Sequence, residues 1–490
     1  MTNSNAMRVV LAIALALAAC GGPQKGGGGG GGGPEAFVGA RWVPSNPTYV
    51  LAAPTFRSAQ LAFHDASDVF TMSVGAEMQE LSSGLQSLLG VDPLNPDAVT
   101  QIGIDMNGAL VAFSEDIDPT FVVHLADPSA MTAYLDRQRN QGMKLTSMII
   151  DSVEVFTAKV DGSVQISWAI DKDWLWVHFA DINAELGTWF EHSHHAGAPT
   201  WGQAWEWAKG QAKGQGLTGF ANLHDALAVI GKRVPEAAAC AKQFDTVTRV
   251  GVSIDADGKT LDGRLTFDIG GSAQNIGGAL LQPPPGFAAA AQGVPVSAQW
   301  NLDAAFVQKW MTPCFQRESG SIAELMDQYG VRTARGLVQQ FDPDDKSGVG
   351  AVSLDLTHSR FIAAQLDQVP MRSRLEKDRT YGQYKGKHLS VPFVATADYV
   401  LNDKLFIGAM GDGLLAKLGT GAAPGGAPPI ASIDVLPAGL KPDVWQWLFE
   451  QIDAPSPQRL AQRLQSWQSL HVGARLEGTS LLIEAAGTRR

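Results

Sequence analysis

Glu191-His192-Ser193-His194-His195 sets three imidazoles and a carboxylate within five residues. Such ligands suit a transition ion of intermediate softness. The HExxH spacing that puts two histidines on one helical face is absent. No second ligand cluster stands near in the chain to complete a tetrahedral set. No metal site is therefore expected. His192, His194 and His195 are weak candidates only, and a solvated histidine-rich loop is the plainer assignment. Gly214-Gln-Gly216-Leu-Thr-Gly219 has the form GxGxxG. A dinucleotide site needs a buried strand before that motif and a helix opening at its end. A polar, helix-like stretch precedes it instead, so it reads as a flexible connection, and no cofactor is expected. Asp342-Pro-Asp344-Asp345-Lys-Ser-Gly348 offers hard oxygen ligands, but Lys346 and Ser347 break the calcium-loop pattern, leaving an exposed acidic turn. Trp201 and Trp205, four apart, share a helical face and are assigned to packing rather than to a ligand groove.

Three cysteines remain to be placed. Cys240 and Cys314 are candidates for a disulfide, the alternative being two buried thiols that behave as small hydrophobes. Their Cα separation decides between the two. Neither belongs to a CxxC pair, which argues against redox or zinc chemistry.

Cys20 stands apart because of what precedes it. Met1–Arg8 carries a lone positive charge, Val9–Ala16 is uninterruptedly apolar, and Leu17-Ala18-Ala19-Cys20 follows. That succession is an n-region, an h-region and a cleavage site, too short to span a bilayer. The four residues resemble the lipobox of bacterial lipoproteins. The resemblance implies removal of residues 1–19, a diacylglycerol on the Cys20 thiol and fatty acylation of the new amino group. Gly21 occupies the position where an aspartate would imply inner-membrane retention, so the resemblance favours the outer membrane. Attachment would then be covalent, each buried methylene contributing about 0.8 kcal/mol and more than one chain making it stable.

Composition agrees with a folded body behind that leader. Hydrophobic residues make up 45% and charged residues 18%, enough apolar material for a real core. A net charge of −12 without clustered basic runs argues against nucleic acid as a partner and against electrostatic docking on anionic lipid. No stretch after the leader reaches about 20 apolar residues, so no transmembrane helix follows. Eight glycines, Gly26–Gly33, make residues 20–40 a flexible tether.

The elements that must hold any site follow from periodicity. Thr48–Ala53 reads as a strand closed by Pro54. Phe70, Val74, Met78, Leu81, Leu85 and Leu88 mark one face of a helix between Ser67 and Leu89. Gly108–Ser114 and Thr120–Ala126 form a strand pair, and Asp127-Pro128 caps a helix stopped by Gly142. Ser163–Ile170 with Trp174–Phe179, and Arg249–Ile254 with Thr260–Ile269, read as hairpins. Helices are expected over Phe220–Ile230 and Pro235–Phe244. Two more carry the faces Trp445, Leu448, Phe449, Ile452 and Leu460, Leu464, Trp467, Leu470, ahead of strands His471–Leu476 and Ser480–Ala485.

Gln282-Pro-Pro-Pro285 breaks the pattern, and beyond it short echoes recur in order. Ile102-Gly103-Ile104 returns as Arg335-Gly336-Leu337, Leu186-Gly187-Thr188 as Leu418-Gly419-Thr420, and Arg249-Val250-Gly251-Val252 as His471-Val472-Gly473-Ala474. Their spacing suggests a duplicated unit of roughly 220–230 residues.

The expected architecture is α+β: a signal peptide (1–19), a lipidated tether (20–40), a first unit (41–281) and a second (286–490), each an antiparallel sheet covered by helices. The expected protein is a non-enzymatic envelope lipoprotein, its body periplasmic or surface-exposed, that binds an envelope protein, a lipid or a glycan. Two alternatives stand beside it: a periplasmic hydrolase with a site between the halves, and a carrier of a hydrophobic ligand, which needs a sizeable apolar cavity.

Overall fold

The computed structural model describes residues 37–74, 91–92, 95–140, 145–159, 164–184, 187–197, 200–211, 216–233, 244–312, 316–342, 347–391, 395–421, 426–451, 454 and 456–490. Cys20 and its leader, the glycine tether, Cys240 and Cys314 lie outside them, as do Met78, Leu81, Leu85 and Leu88. The described chain forms two compact units. One is residues up to Ala238 together with Val247–Asp268, and the other is Ala239–Thr246 with Ile269–Arg490. The division falls between Asp268 and Ile269, ahead of Gln282–Pro285.

Among the described residues of the first unit the strands are β1 (Tyr49–Ala53), β2 (Leu110–Ser114), β3 (Thr120–His124), β4 (Leu145–Ile150), β5 (Val153–Lys159), β6 (Val164–Asp171), β7 (Trp174–Asp181), β8 (Leu217–Ala221), β9 (Arg249–Ala256) and β10 (Thr260–Asp268). They pair antiparallel in the order 4-5-6-7-3-2-1-8-9-10. Three consecutive meanders are thus laid side by side, β7 joining β3 and β8 joining β1. The second unit carries β11 (Val296–Trp300), β12 (Val331–Asp342), β13 (Ser347–Leu356), β14 (Glu376–Tyr381), β15 (Tyr384–Val391), β16 (Ala395–Asn402), β17 (Leu405–Met410), β18 (Ala431–Val435), β19 (Trp467–Glu477) and β20 (Ser480–Arg489). Its order is 14-15-16-17-13-12-11-18-19-20, the same path strand for strand. The fold is α+β, and one topology occurs twice.

That topology re-registers two of the three echoes. Gly103 (φ +92°) precedes β2 and its carbonyl accepts the Ala126 N–H, just after β3. The residue in that place in the second unit is Gly330 (φ +72°), whose carbonyl accepts the Thr357 N–H just after β13; Gly336 lies inside β12. Gly187 (φ +90°) is the N-cap of a helix after β7, and its counterpart after β17 is Gly413 (φ +71°); Gly419 ends that helix. Backbone sterics explain the pairing, because a left-handed φ is what glycine supplies at a tight entry. The third echo falls on the corresponding strands β9 and β19.

Alternation along the strands splits each sheet face. In the first unit Val50, Val111, Phe113, Trp174 and Trp176 join Trp189, Phe190, Trp201 and Trp205 in one core, under the helices Thr188–His194 and Gly202–Gln211. Another core gathers Leu125, Met131, Tyr134, Trp168 and Leu175, with Met131 and Tyr134 coming from the helix Pro128–Asn140. Leu175 sits between Trp174 and Trp176 on β7, so the period of two delivers the sheet to both layers. In the second unit Leu337, Tyr381, Val400 and Ile407 pack with Leu414, Leu415 and Leu418. The Arg335 guanidinium is fully buried there. It donates to Asn301 Oδ1 at 2.5 Å, Asp355 Oδ2 at 2.8 Å and the Leu281 carbonyl at 2.9 Å, the partners that make a buried cation tolerable.

Several local expectations shift. The first long helix is Phe56–Val74, beginning earlier than its apolar face suggests. Phe220 belongs to β8, because its pattern starts in that strand and runs on into the helix Leu223–Arg233, while Trp467 and Leu470 belong to β19, because theirs runs from a helix into the next strand. The Asp127 carboxylate does cap its helix, accepting from the Ala130 N–H at 3.0 Å. Among the described residues, no helix is long and apolar enough to cross a membrane.

Candidate functional site

The histidine-rich stretch is not a solvated loop. Thr188–His194 is a helix after β7, and Trp189, Phe190 and Ser193 are buried on its inner side. Helical rotation separates the histidines into two groups.

His192 turns towards the link between β2 and β3. Its Nδ1 lies 2.7 Å from Glu115 Oε2, both groups substantially exposed. They border a cleft of about 280 Å³ that also includes Asp116, Asp118, Thr120, His178 and Trp189. His178, on β7, shares a hydrogen bond of 2.9 Å with the Thr120 hydroxyl and stacks on Trp189 at 4.9 Å. Burial pushes the His178 imidazole down to about 4, against a smaller opposing pull from Asp116. The hydroxyl–imidazole contact has the form of a nucleophile and its base. An imidazole that stays neutral to such acidity is a poor proton acceptor at neutral pH, so the pair acts as a satisfied polar contact within the fold.

His194 and His195 turn the other way, to two hairpin ends. Asp151 follows β4 in a left-handed conformation (φ +50°), as does Ser152 (φ +66°). This two-residue turn aims the Asp151 carboxylate at the C-terminal end of the helix. Asp151 Oδ2 lies 2.5 Å from His195 Nε2 and 3.3 Å from His194 Nδ1. The opposite nitrogen of His194, Nε2, lies 3.3 Å from Oδ2 of Asp171, the last residue of β6. The His194 ring is held between Trp42 (5.9 Å, 9°) and Phe190 (5.1 Å, 20°). Asp151, His194 and His195 each offer one ligand atom, and these atoms all fall within 4.8 Å of one another. The hydrogen bond from His195 holds the Asp151 carboxyl below its ordinary range.

The other sequence candidates resolve differently. Gly216 leads into β8 and Gly219 lies within it, so a strand follows the GxGxxG match where a phosphate-binding helix would have to begin. Its Gly219 is no flexible connection: a Cβ there would sit 2.3 Å from the Val50 carbonyl of β1. Trp201 and Trp205 are buried, in edge contact with each other at 5.8 Å, and serve the core. Asp342 ends β12 and Ser347 begins β13, while Asp344 and Asp345 fall outside the described residues.

One feature of the second unit has no local sequence signature. The helices Ala304–Met311 and Gln316–Tyr329 and the start of β12 border an open, apolar groove of about 350 Å³, with Trp300, Val307, Ile322, Leu325 and Met326 in its walls. Asp151 and Asp171 were equally hidden. Each is an ordinary turn residue in sequence, marked only by its place at a hairpin end.

No family model matches the chain, and no curated protein matches it. Among solved structures the chain is similar to two reported under the descriptions "Structure of crystal form III of TP0453" and "Structure of crystal form I of TP0453". The first is 9% identical over 49% of this chain and 86% of that one, with a TM-score of 0.29. The second is 11% identical over 47% and 78%, with a TM-score of 0.28. A likeness of that degree assigns no function.

Proposed function

We propose that this protein is a lipid-anchored component of the bacterial cell envelope, tethered through Cys20, that acts by binding rather than by catalysis. The leader ending in Leu17-Ala18-Ala19-Cys20 carries the reading. The run Gly26–Gly33 supports it, since a chain without side chains to bury makes a slack link between bilayer and body. The body faces the periplasm or the cell surface, and the outer membrane is preferred because Gly21, not aspartate, follows Cys20. Its partner is an envelope protein, a lipid or a glycan. The net charge of −12, without clustered basic runs, argues against nucleic acid. A hydrolytic role finds no support in His178, whose basicity is wrong for it.

Replacing Cys20→Ala tests the anchor in cells. The variant is expected to take up no fatty-acid label and to leave the membrane fraction, while the wild type retains both. Labelling of the variant would overturn the reading.

The apolar groove of the second unit favours one further role, carriage of a hydrophobic ligand. Its volume lies within the range of small-molecule sites, and Trp300 and Leu325 present apolar surface to solvent there. Native mass spectrometry of the purified chain checks it: a co-purifying apolar ligand that Leu325→Glu displaces is expected, and an identical mass profile for both proteins counts against the role.

A further inference from the structure

We propose that Asp151, His194 and His195 form a binding site for a divalent transition ion of the zinc class, with Asp171 orienting His194 from behind. The inference is independent of the anchor and of the groove. It starts from a nitrogen. His194 Nδ1 is buried and makes no hydrogen bond among the described residues, although Asp151 Oδ2 lies 3.3 Å away. A buried polar atom left so costs stability unless something engages it.

The surroundings fit a ligand. His194 Nε2 faces the Asp171 carboxylate at 3.3 Å. A proton held there by Asp171 fixes the tautomer that leaves a lone pair on Nδ1, which is how metal-binding histidines are set up by their outer carboxylate. Stacking on Trp42 and Phe190 keeps the ring from turning away. An ion about 2.0–2.1 Å from each of its ligands, in tetrahedral geometry, needs those ligands roughly 3.4 Å apart. Asp151 Oδ2 and His194 Nδ1 already meet that separation. His195 is closer, at 2.5 Å, but its side chain is 60% exposed and has room to swing outward around an ion. Two imidazoles and one carboxylate leave a coordination position for water, and their mixed nitrogen and oxygen character favours Zn²⁺, Ni²⁺ or Cu²⁺ over Mg²⁺ or Ca²⁺. His192 is not part of the set, being turned to Glu115. A bound ion would join the β4–β5 turn, the end of β6 and the helix terminus.

Calorimetric titration of the tag-free mature chain with Zn²⁺ alone tests this. One equivalent is expected to bind. His195→Ala and Asp151→Asn, both on the surface and so tolerated by the fold, are each expected to weaken binding at least tenfold. Asp171→Asn is expected to weaken it about 10- to 100-fold, as loss of an outer carboxylate does. His192→Ala should leave it unchanged. Co²⁺ supplies a second reading, since its visible bands report coordination directly and should change in His195→Ala. The site is overturned if the wild type binds no Zn²⁺, if His195→Ala and Asp151→Asn bind as the wild type does, or if His192→Ala alone abolishes binding.

Discussion

The Trp176 indole donates its Nε1–H to the Ser193 hydroxyl at 3.1 Å, in the core of the first unit. That hydroxyl in turn donates to the Trp42 carbonyl at 2.6 Å. Ser193 is therefore the pin between His192 and His194. Its burial on the inner side sends the two histidines to different partners.

Ser193→Ala should leave the Trp176 donor and the Trp42 acceptor buried without each other's relay. The expected cost is about 1–3 kcal/mol, the penalty for unpaired buried polar groups. Urea denaturation checks it, with a lower midpoint at unchanged slope as the expected outcome. A midpoint equal to the wild type's would mean the relay contributes nothing.

His178 should make stability fall on mild acidification. An ordinary imidazole titrates at 6.5, whereas burial holds this one to about 4. Above 6.5 both folded and unfolded states carry it neutral. Between 6.5 and 4 the unfolded chain takes up a proton that the folded one refuses, so stability drops as pH falls. Below 4 both states are protonated and the loss stops growing. Its full size is about 3 kcal/mol. The difference between wild type and His178→Gln, followed by denaturation from pH 7.5 to 4, should display that window. A parallel pH profile for both proteins would contradict it.

Gly187 and Gly413 hold the same place in the two units but should respond unequally to alanine. Both have left-handed φ, so each substitution carries a conformational penalty of about 1–2 kcal/mol. A Cβ on Gly413 would meet nothing within 4 Å, while one on Gly187 would sit 2.5 Å from Ile150 Cδ1 and 2.8 Å from Met148 Sδ. Gly187→Ala is therefore expected to be the more destabilising, by the cost of moving those two side chains. Equal midpoints in urea would show that Ile150 and Met148 yield freely.

Much of the local structure is legible in the sequence. The β6–β7 and β9–β10 hairpins, the pairing of β2 with β3 and the capped helix at Asp127 all announce themselves through alternation or a turn residue. Element boundaries are ambiguous where an apolar run crosses from helix to strand, as at Trp467, because neither period dominates there. The histidine helix escapes periodicity for a different reason. Four of its seven residues are Thr, His, Ser and His, and only Trp189 and Phe190 mark an inner face. Its helical state depends on the sheet beneath.

By itself the sequence carried the acidic balance, the α+β class, the hint of two similar halves and the lipobox-like stretch ending at Cys20 on which the anchor proposal rests, since each is written in composition or in neighbours a few positions apart. The tertiary structure alone decided the shared strand order, the true equivalence of Gly103 with Gly330, and the meeting of Asp151 with His195 across 44 positions of chain. Contacts of that kind are selected by which sheet faces can be buried together. No local periodicity encodes them.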